Sequence, residues 1–192
     1  MKIIVAPHPV LRQKCQPIEP AELPKLAKTA HQMARLMYKS AGCGLAAPQI
    51  GINKRLVVVD TTVPEEDKEF VPDPLFLVNP VITFQSDTTE SSDEGCLSIP
   101  GITVEIERPV SIVLEAWDLE GNTIEVKAEG FTARALQHEL DHLDGITMFE
   151  HLDSIARIEK LQEFEQAKAS GARPGDTSIA DVGTGGQAQS QK

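Results

Sequence analysis

An α+β fold, with antiparallel sheets around a central helix and one more helix at the C-terminal end, is predicted by three observations in this 192-residue chain. Residues 110–128 alternate apolar and polar side chains with a period of two, which is the mark of half-buried strands. Segments 22–40, 132–143 and 153–169 carry helical patterns. The strand-like runs crowd the middle of the chain while the helices stand apart from them, which is the arrangement of α+β domains.

Taken in order, Lys2–Val5 reads as a short strand, followed by a proline-broken stretch that ends near Pro17 and Pro20. In 22–40, Leu26, Ala30, Met33 and Met37 fall on one helical face. Gly42 and Gly44 close that helix. Leu56–Val59, Leu75–Val78 and Val81–Phe84 are apolar runs of strand length. The acidic, proline-rich stretch Thr61–Pro74 between them reads as a surface loop. Ile102–Ile106 is a further strand. Val110–Ala128 is an antiparallel hairpin whose turn residues lie at Asp118–Asn122. The helix over 132–143 stops at Gly145. Asp153 is a good N-cap for the last helix, where Ile155, Ile158, Leu161 and Phe164 recur every third residue and predict a buried stripe to about Ala169. Beyond it the composition turns to Gly, Ser, Thr and Gln. The chain therefore divides into one domain, 1–170, and a polar tail, 171–192, expected to be disordered.

Composition narrows the function classes. The formal net charge is −11, with no dense Lys/Arg cluster, which argues against a nucleic-acid partner. No apolar run approaches the ~20 residues that span a bilayer. The opening Met1–Val5 is interrupted by Pro7 and Pro9 and lacks the pattern of a secretory leader, so a cytoplasmic protein is expected. Three cysteines, Cys15, Cys43 and Cys96, do not make a disulfide framework.

The chemistry concentrates in His138-Glu139-Leu140-Asp141-His142. Two histidines four apart sit on one helical face, one turn from each other, so their nitrogens can reach a single divalent ion. The intervening Glu139 can reach a water on that ion and act as its general base, as in H-E-x-x-H metallohydrolases that cleave amide bonds. A third ligand is needed. The zinc-peptidase continuation would put a histidine where Met148 stands, and a thioether is a poor ligand for such an ion. His151 lies beyond the required place. Glu159, Glu163 and Glu165 are on the last helix, whose pattern turns its acids outward. Cys96, in Glu94-Gly95-Cys96-Leu97-Ser98, has an adjacent glycine that permits close approach. A thiolate with two imidazoles leaves the fourth tetrahedral position open. Spacing alone does not separate Cys96 from Cys43. A zincin-like metallopeptidase and a non-catalytic metal-binding module stand as alternative classes.

A third segment, Gly42-Cys43-Gly44-Leu45-Ala46-Ala47-Pro48-Gln49, changes the weighting. With Glu94–Ser98 and Gln137–His142 it forms three motifs in order, and together they resemble the peptide deformylases over residues 1 to about 167. The resemblance implies a metal-dependent hydrolase that removes the N-formyl group from the initiator methionine of new polypeptides and releases formate. It implies Cys96, His138 and His142 as metal ligands and Glu139 as the catalytic glutamate. Gln49 and the backbone N–H of Leu97 are implied as oxyanion donors, and Gly44 as a backbone partner for substrate, with Gly95 and Cys43 beside the substrate. It implies Fe2+ as the ion, replaceable by Zn2+, Ni2+ or Co2+. Arg108 is expected to pair with Glu94 and hold the cysteine loop. Many relatives carry an aromatic residue and an arginine where Ile102 and Thr103 stand, so that arginine–substrate contact is not carried over. The expected partners are formyl-Met N-termini of nascent chains. A basic C-terminal helix contacts the ribosome in some relatives, which makes transient ribosome association an expectation that the acids of the last helix weigh against.

Overall fold

The structure, a computed structural model, describes residues 1–62 and 69–178. Among these residues are seven strands, β1 (Gly44–Ala46), β2 (Leu56–Val59), β3 (Leu75–Gln85), β4 (Thr89–Cys96), β5 (Ile99–Pro109), β6 (Ser111–Trp117) and β7 (Thr123–Glu129). Three α-helices accompany them among the described residues, α1 (Leu23–Lys39), α2 (Gly130–Leu143) and α3 (Ser154–Ala169). One antiparallel sheet has the order β1-β2-β3-β6-β7, and β4 and β5 form a separate two-stranded sheet. The α+β architecture with its C-terminal helix is as the sequence predicts.

The all-apolar run of β2 is explained by its position between two helices. Val57 and Val59 face α2, in a core shared with Ala133, Leu136, Leu77 and Leu114. Leu56 and Val58 face α1, in a second core with Ala30, Met33, Met37 and Val78. Both faces of the strand are buried, so alternation disappears and β-branched residues fill every position. The predicted α1 face of Ala30, Met33 and Met37 is fully buried. In β6, by contrast, Ile112, Leu114 and Ala116 point into the core shared with α2, while Val113 and Glu115 share the other face with Trp117, which packs against the second core; this is the alternation read from the sequence.

A third core joins the small sheet to α3. Ile102, Val104 and Ile106 of β5 meet Met148, Phe149, Phe164 and Ala167. Met148 is therefore a core residue, which accounts for a thioether at that place. Burying Phe164 contributes roughly 1.5–3 kcal/mol.

Several expectations need correction. Residues 2–5 belong to no strand. The segment is tied by Ile4 N–H to the Gln49 carbonyl at 2.8 Å and by the following Ala6 N–H to the Ser98 carbonyl at 2.9 Å. The runs at 75–78 and 81–84 are one strand, β3, whose register against β6 shifts between Val78 and Val81 and again between Ile82 and Phe84. On α3, Ile155 and Ile158 are 73% and 58% exposed, so the stripe is buried only from Phe164 onward. The tail boundary at 171 also moves. Residues 171–178 fold back onto the domain, with the Asp176 carbonyl accepting the Gly101 N–H at 2.8 Å. Residues 179–192 of the expected disordered tail, and 63–68 of the expected loop, lie outside the described residues.

Candidate metal centre and its cleft

The α2 helix enters the fold with Ala133 and Leu136 against the five-stranded sheet, which turns the opposite side of the same helix toward β4. His138 and His142 lie on that side, their ring centroids 5.0 Å apart and their planes 76° to each other. Cys96 ends β4, and its Sγ lies 3.2 Å from His142 Nε2. One donor atom from each of Cys96, His138 and His142 falls within 4.8 Å of the others. Among the described residues this is the group of donors that the fold brings together. Cys43, Met148, His151 and the acids of α3 stand outside it.

The surroundings fit a cation. His138 Nδ1 lies 2.9 Å from Glu94 Oε2. A carboxylate only accepts, so Nδ1 carries the hydrogen and Nε2 is left to coordinate. Glu94 in turn takes two bonds from Arg108, at 2.6 and 2.9 Å, and one from Arg134 at 2.8 Å. The Arg108–Glu94 pairing expected from the sequence is thus present. Arg108 also reaches Asp141 at 2.9 Å, and so ties the cysteine hairpin to α2. Burial pushes the Glu94 carboxyl up, but hydrogen bonds from His138 and Arg108 outweigh it and hold the group near a pKa of about 2. Burial keeps His142 well below the usual imidazole range, so it is neutral and ready to donate a lone pair.

Glu139 is 5% exposed. Its Oε2 is buried and has no hydrogen-bond partner among the described residues. Such a carboxylate is costly to leave alone. Burial raises its pKa to about 7, where a group can both take and return a proton. Gly44 explains how it fits. A Cβ at Gly44 would collide with the Glu139 carboxylate. The glycine is therefore required by Glu139, a reason that sequence reading, which treated Gly44 as a substrate contact, did not find.

The remaining expected residues line or support the same cleft. Gln49 is 1% exposed, and its Oε1 accepts the Ala46 N–H at 2.7 Å. That bond fixes the amide so that Nε2 points inward, 3.7 Å from Cys96 Sγ. Leu97 packs beneath Gly42, where a Cβ would come 2.7 Å from its Cδ1. Cys43 and Gly95 line a cavity of about 210 Å3 together with Gln49, Cys96, His138 and Glu139. Burial, and then the charge of Glu139, pushes the Cys43 thiol up to about 11, so it is a neutral wall.

Other cleft residues were not singled out from the sequence. Phe131 and Arg134 come from α2, Asp93 from β4, and Gly175, Asp176 and Thr177 from beyond α3. Arg134 stands one helical turn before His138, a signal that was available. Nothing in a Gly- and Thr-rich stretch marks 175–177. Ile102 and Thr103 do not line the cleft, and Ile102 is buried against α3. The guanidinium that reaches the cleft comes from α2, not β5.

Comparison with known proteins agrees with this geometry. The family model described as polypeptide deformylase matches residues 1–158. A peptide deformylase of Rhizobium meliloti is 40% identical over 172 residues, covering 89% of this chain and 96% of the relative. One from Desulforudis audaxviator is 40% identical over 162 residues, covering 84% and 97%. The crystal structure of peptide deformylase from Ehrlichia chaffeensis superposes with a TM-score of 0.79 at 32% identity, covering 88% of this chain and 97% of that one. That of the Synechococcus elongatus enzyme in complex with actinonin gives 0.76 at 35% identity, covering 86% of each.

Proposed function

This chain belongs to the polypeptide deformylase family, and we propose that its cleft takes formyl-methionine N-termini of nascent polypeptides through the residues assigned below. The reaction is hydrolysis of the N-formyl group to formate and a free amine. The observation that carries the residue assignment is the convergence of Cys96, His138 and His142 beside Glu139, whose buried Oε2 has no partner among the described residues.

Cys96 Sγ, His138 Nε2 and a ring nitrogen of His142 would hold one divalent ion. When bound, that ion supplies Lewis acidity, lowering the pKa of a water and drawing charge from the formyl carbonyl. Glu139 takes the proton of the water that attacks the formyl carbon. It then returns a proton to the amine nitrogen as the C–N bond breaks. The Gln49 amide and the Leu97 N–H are assigned to the oxygen on which charge develops, and losing one such donor costs roughly 10²–10³ in rate. Among the described residues the outer edges of β1 at Gly44 and of β4 near Gly95 have no partner strand and border the cleft, and an extended peptide can add between them as a strand. We take Fe2+ as the ion on the strength of the sequence resemblance, with Zn2+, Ni2+ or Co2+ able to replace it. Metal analysis of anaerobically purified protein tests that choice.

A zincin-like peptidase is not favoured, since Met148 is committed to the core and Cys96 takes the third place. Ribosome association through α3 finds little support in its charge. Lys160 and Lys168 are already paired with Glu163 and Glu165. No helix among the described residues is long and apolar enough to cross a membrane. We infer a cytoplasmic site of action because nascent formylated chains are made there. The test is formate release from formyl-Met peptides by metal-loaded protein, with internal peptide bonds left intact. Cleavage of internal bonds without formate release would overturn the reading.

A further inference from the structure

The cleft has one wall that the family match does not reach. That match ends at residue 158, yet Gly175, Asp176 and Thr177 border the same cavity as Gln49 and Glu139. Two contacts hold this strap across the mouth, and a turn within it stiffens it. On one side, Gly175 lies against the turn after α1, where a Cβ would come 2.6 Å from the Ser40 carbonyl oxygen. Its φ of +105° is another reason for glycine there. On the other side, the Asp176 carbonyl accepts the Gly101 N–H at the start of β5. The Asp176 side chain, 7% exposed, closes a turn by accepting the Arg173 N–H at 2.7 Å. So anchored, the strap sets Thr177 over β4, where its Cγ2 is 3.4 Å from a Cβ built on Gly95.

We propose that the strap Arg173–Thr177 is a specificity-determining wall of the substrate cleft, with Thr177 limiting the size of the side chains that follow the formyl-methionine. This rests on the deformylase reading. Gly95 is beside the free edge of β4, so a peptide laid along that edge passes under Thr177. The reacting formyl end lies deeper, at Glu139 and Cys96. A wall in this place narrows the outer cleft without touching the reacting atoms. It therefore acts on binding of the residues after the first and leaves the chemical step alone.

The experiment compares kcat and KM for formyl-Met-Ala-Ala and formyl-Met-Trp-Ala in wild type, Thr177→Gly and Thr177→Trp, with thermal unfolding of each. Wild type is expected to prefer the small residue. Thr177→Gly should reduce that preference by roughly tenfold. Thr177→Trp should raise KM for the bulky peptide by a similar factor at nearly constant kcat. The proposal is overturned if wild type does not discriminate, if the ratio is the same in all three proteins, or if the changes fall in kcat alone. Activity of wild type on formyl-Met-Ala-Ala is read separately, so failure of the wall and failure of the deformylase assignment give different results.

Discussion

Gly44 and Glu139 form a pair that neither residue explains alone. The carboxylate occupies the space a side chain at Gly44 would need, and its buried Oε2 has no partner among the described residues. Gly44→Ala should displace Glu139 by a fraction of an ångström and lower kcat by roughly 10²-fold, as small misplacements of catalytic groups do. KM should change far less, and steady-state kinetics checks both. At Cys96, a serine would replace the thiolate that completes the donor set. Cys96→Ser is expected to lose most of its bound metal on dialysis while His138 and His142 remain, which elemental analysis of the purified variant measures. The residues at this scale were largely legible. His138, Glu139 and His142 follow from helical spacing alone. Cys96 needed the third motif, because nothing local separates it from Cys43. The reason for Gly44 was not legible at all, since it lies in a contact between β1 and α2 that are far apart in sequence.

Among the elements, β4 is the one the sequence hides. Its residues, Thr89–Cys96, are Ser-, Thr- and acid-rich, and only Glu94 and Cys96 are buried. A strand with one side given to solvent and the other to a charged network offers no apolar alternation to read. That network joins β4 to α2 through Glu94, Arg108, Arg134 and Asp141. The sign of its pH dependence follows from Glu94, which ordinarily titrates at 4.5 and is held at about 2 in the fold. A depressed carboxylate contributes stability that is fully present above pH 4.5 and is lost as pH falls from there toward 2. Glu94→Gln should therefore lower the melting temperature at pH 7 and flatten its fall below pH 4.5. At neutral pH the loss should be at most about 3–5 kcal/mol, because buried Arg108 keeps only Asp141 as a carboxylate partner. Denaturant unfolding across that pH range measures it. The α3 stripe failed for a geometric reason. A strict three-residue repeat slips by about 60° per step on a helix, so Ile155 and Phe164 lie on opposite sides. Phe164→Ala should cost roughly 3–5 kcal/mol. Ile155→Ser, on the exposed face, should stay within about 0.5 kcal/mol.

For the whole molecule, α2 is the common member of both functions of the fold. Its apolar side completes the core of the five-stranded sheet, and its polar side carries the histidines and Glu139 to the two-stranded sheet. The α+β class and the hairpin at 110–128 were readable because each rests on periodicity within one element. The strap at 173–177 was not, because it is placed by contacts with Ser40 and Gly101 rather than by its own composition. A metal bound between β4 and α2 would cross-link them, so chelation should lower the melting temperature by an amount that depends on metal concentration. The central claim is that Glu139 is the general base of a deformylase whose metal is held by Cys96, His138 and His142. Formate release from formyl-Met-Ala by Glu139→Gln, prepared with the same metal content as wild type, tests it most directly. The account predicts a loss of at least roughly 10²-fold with the metal retained. Activity equal to wild type in that variant, at equal metal content, would contradict it.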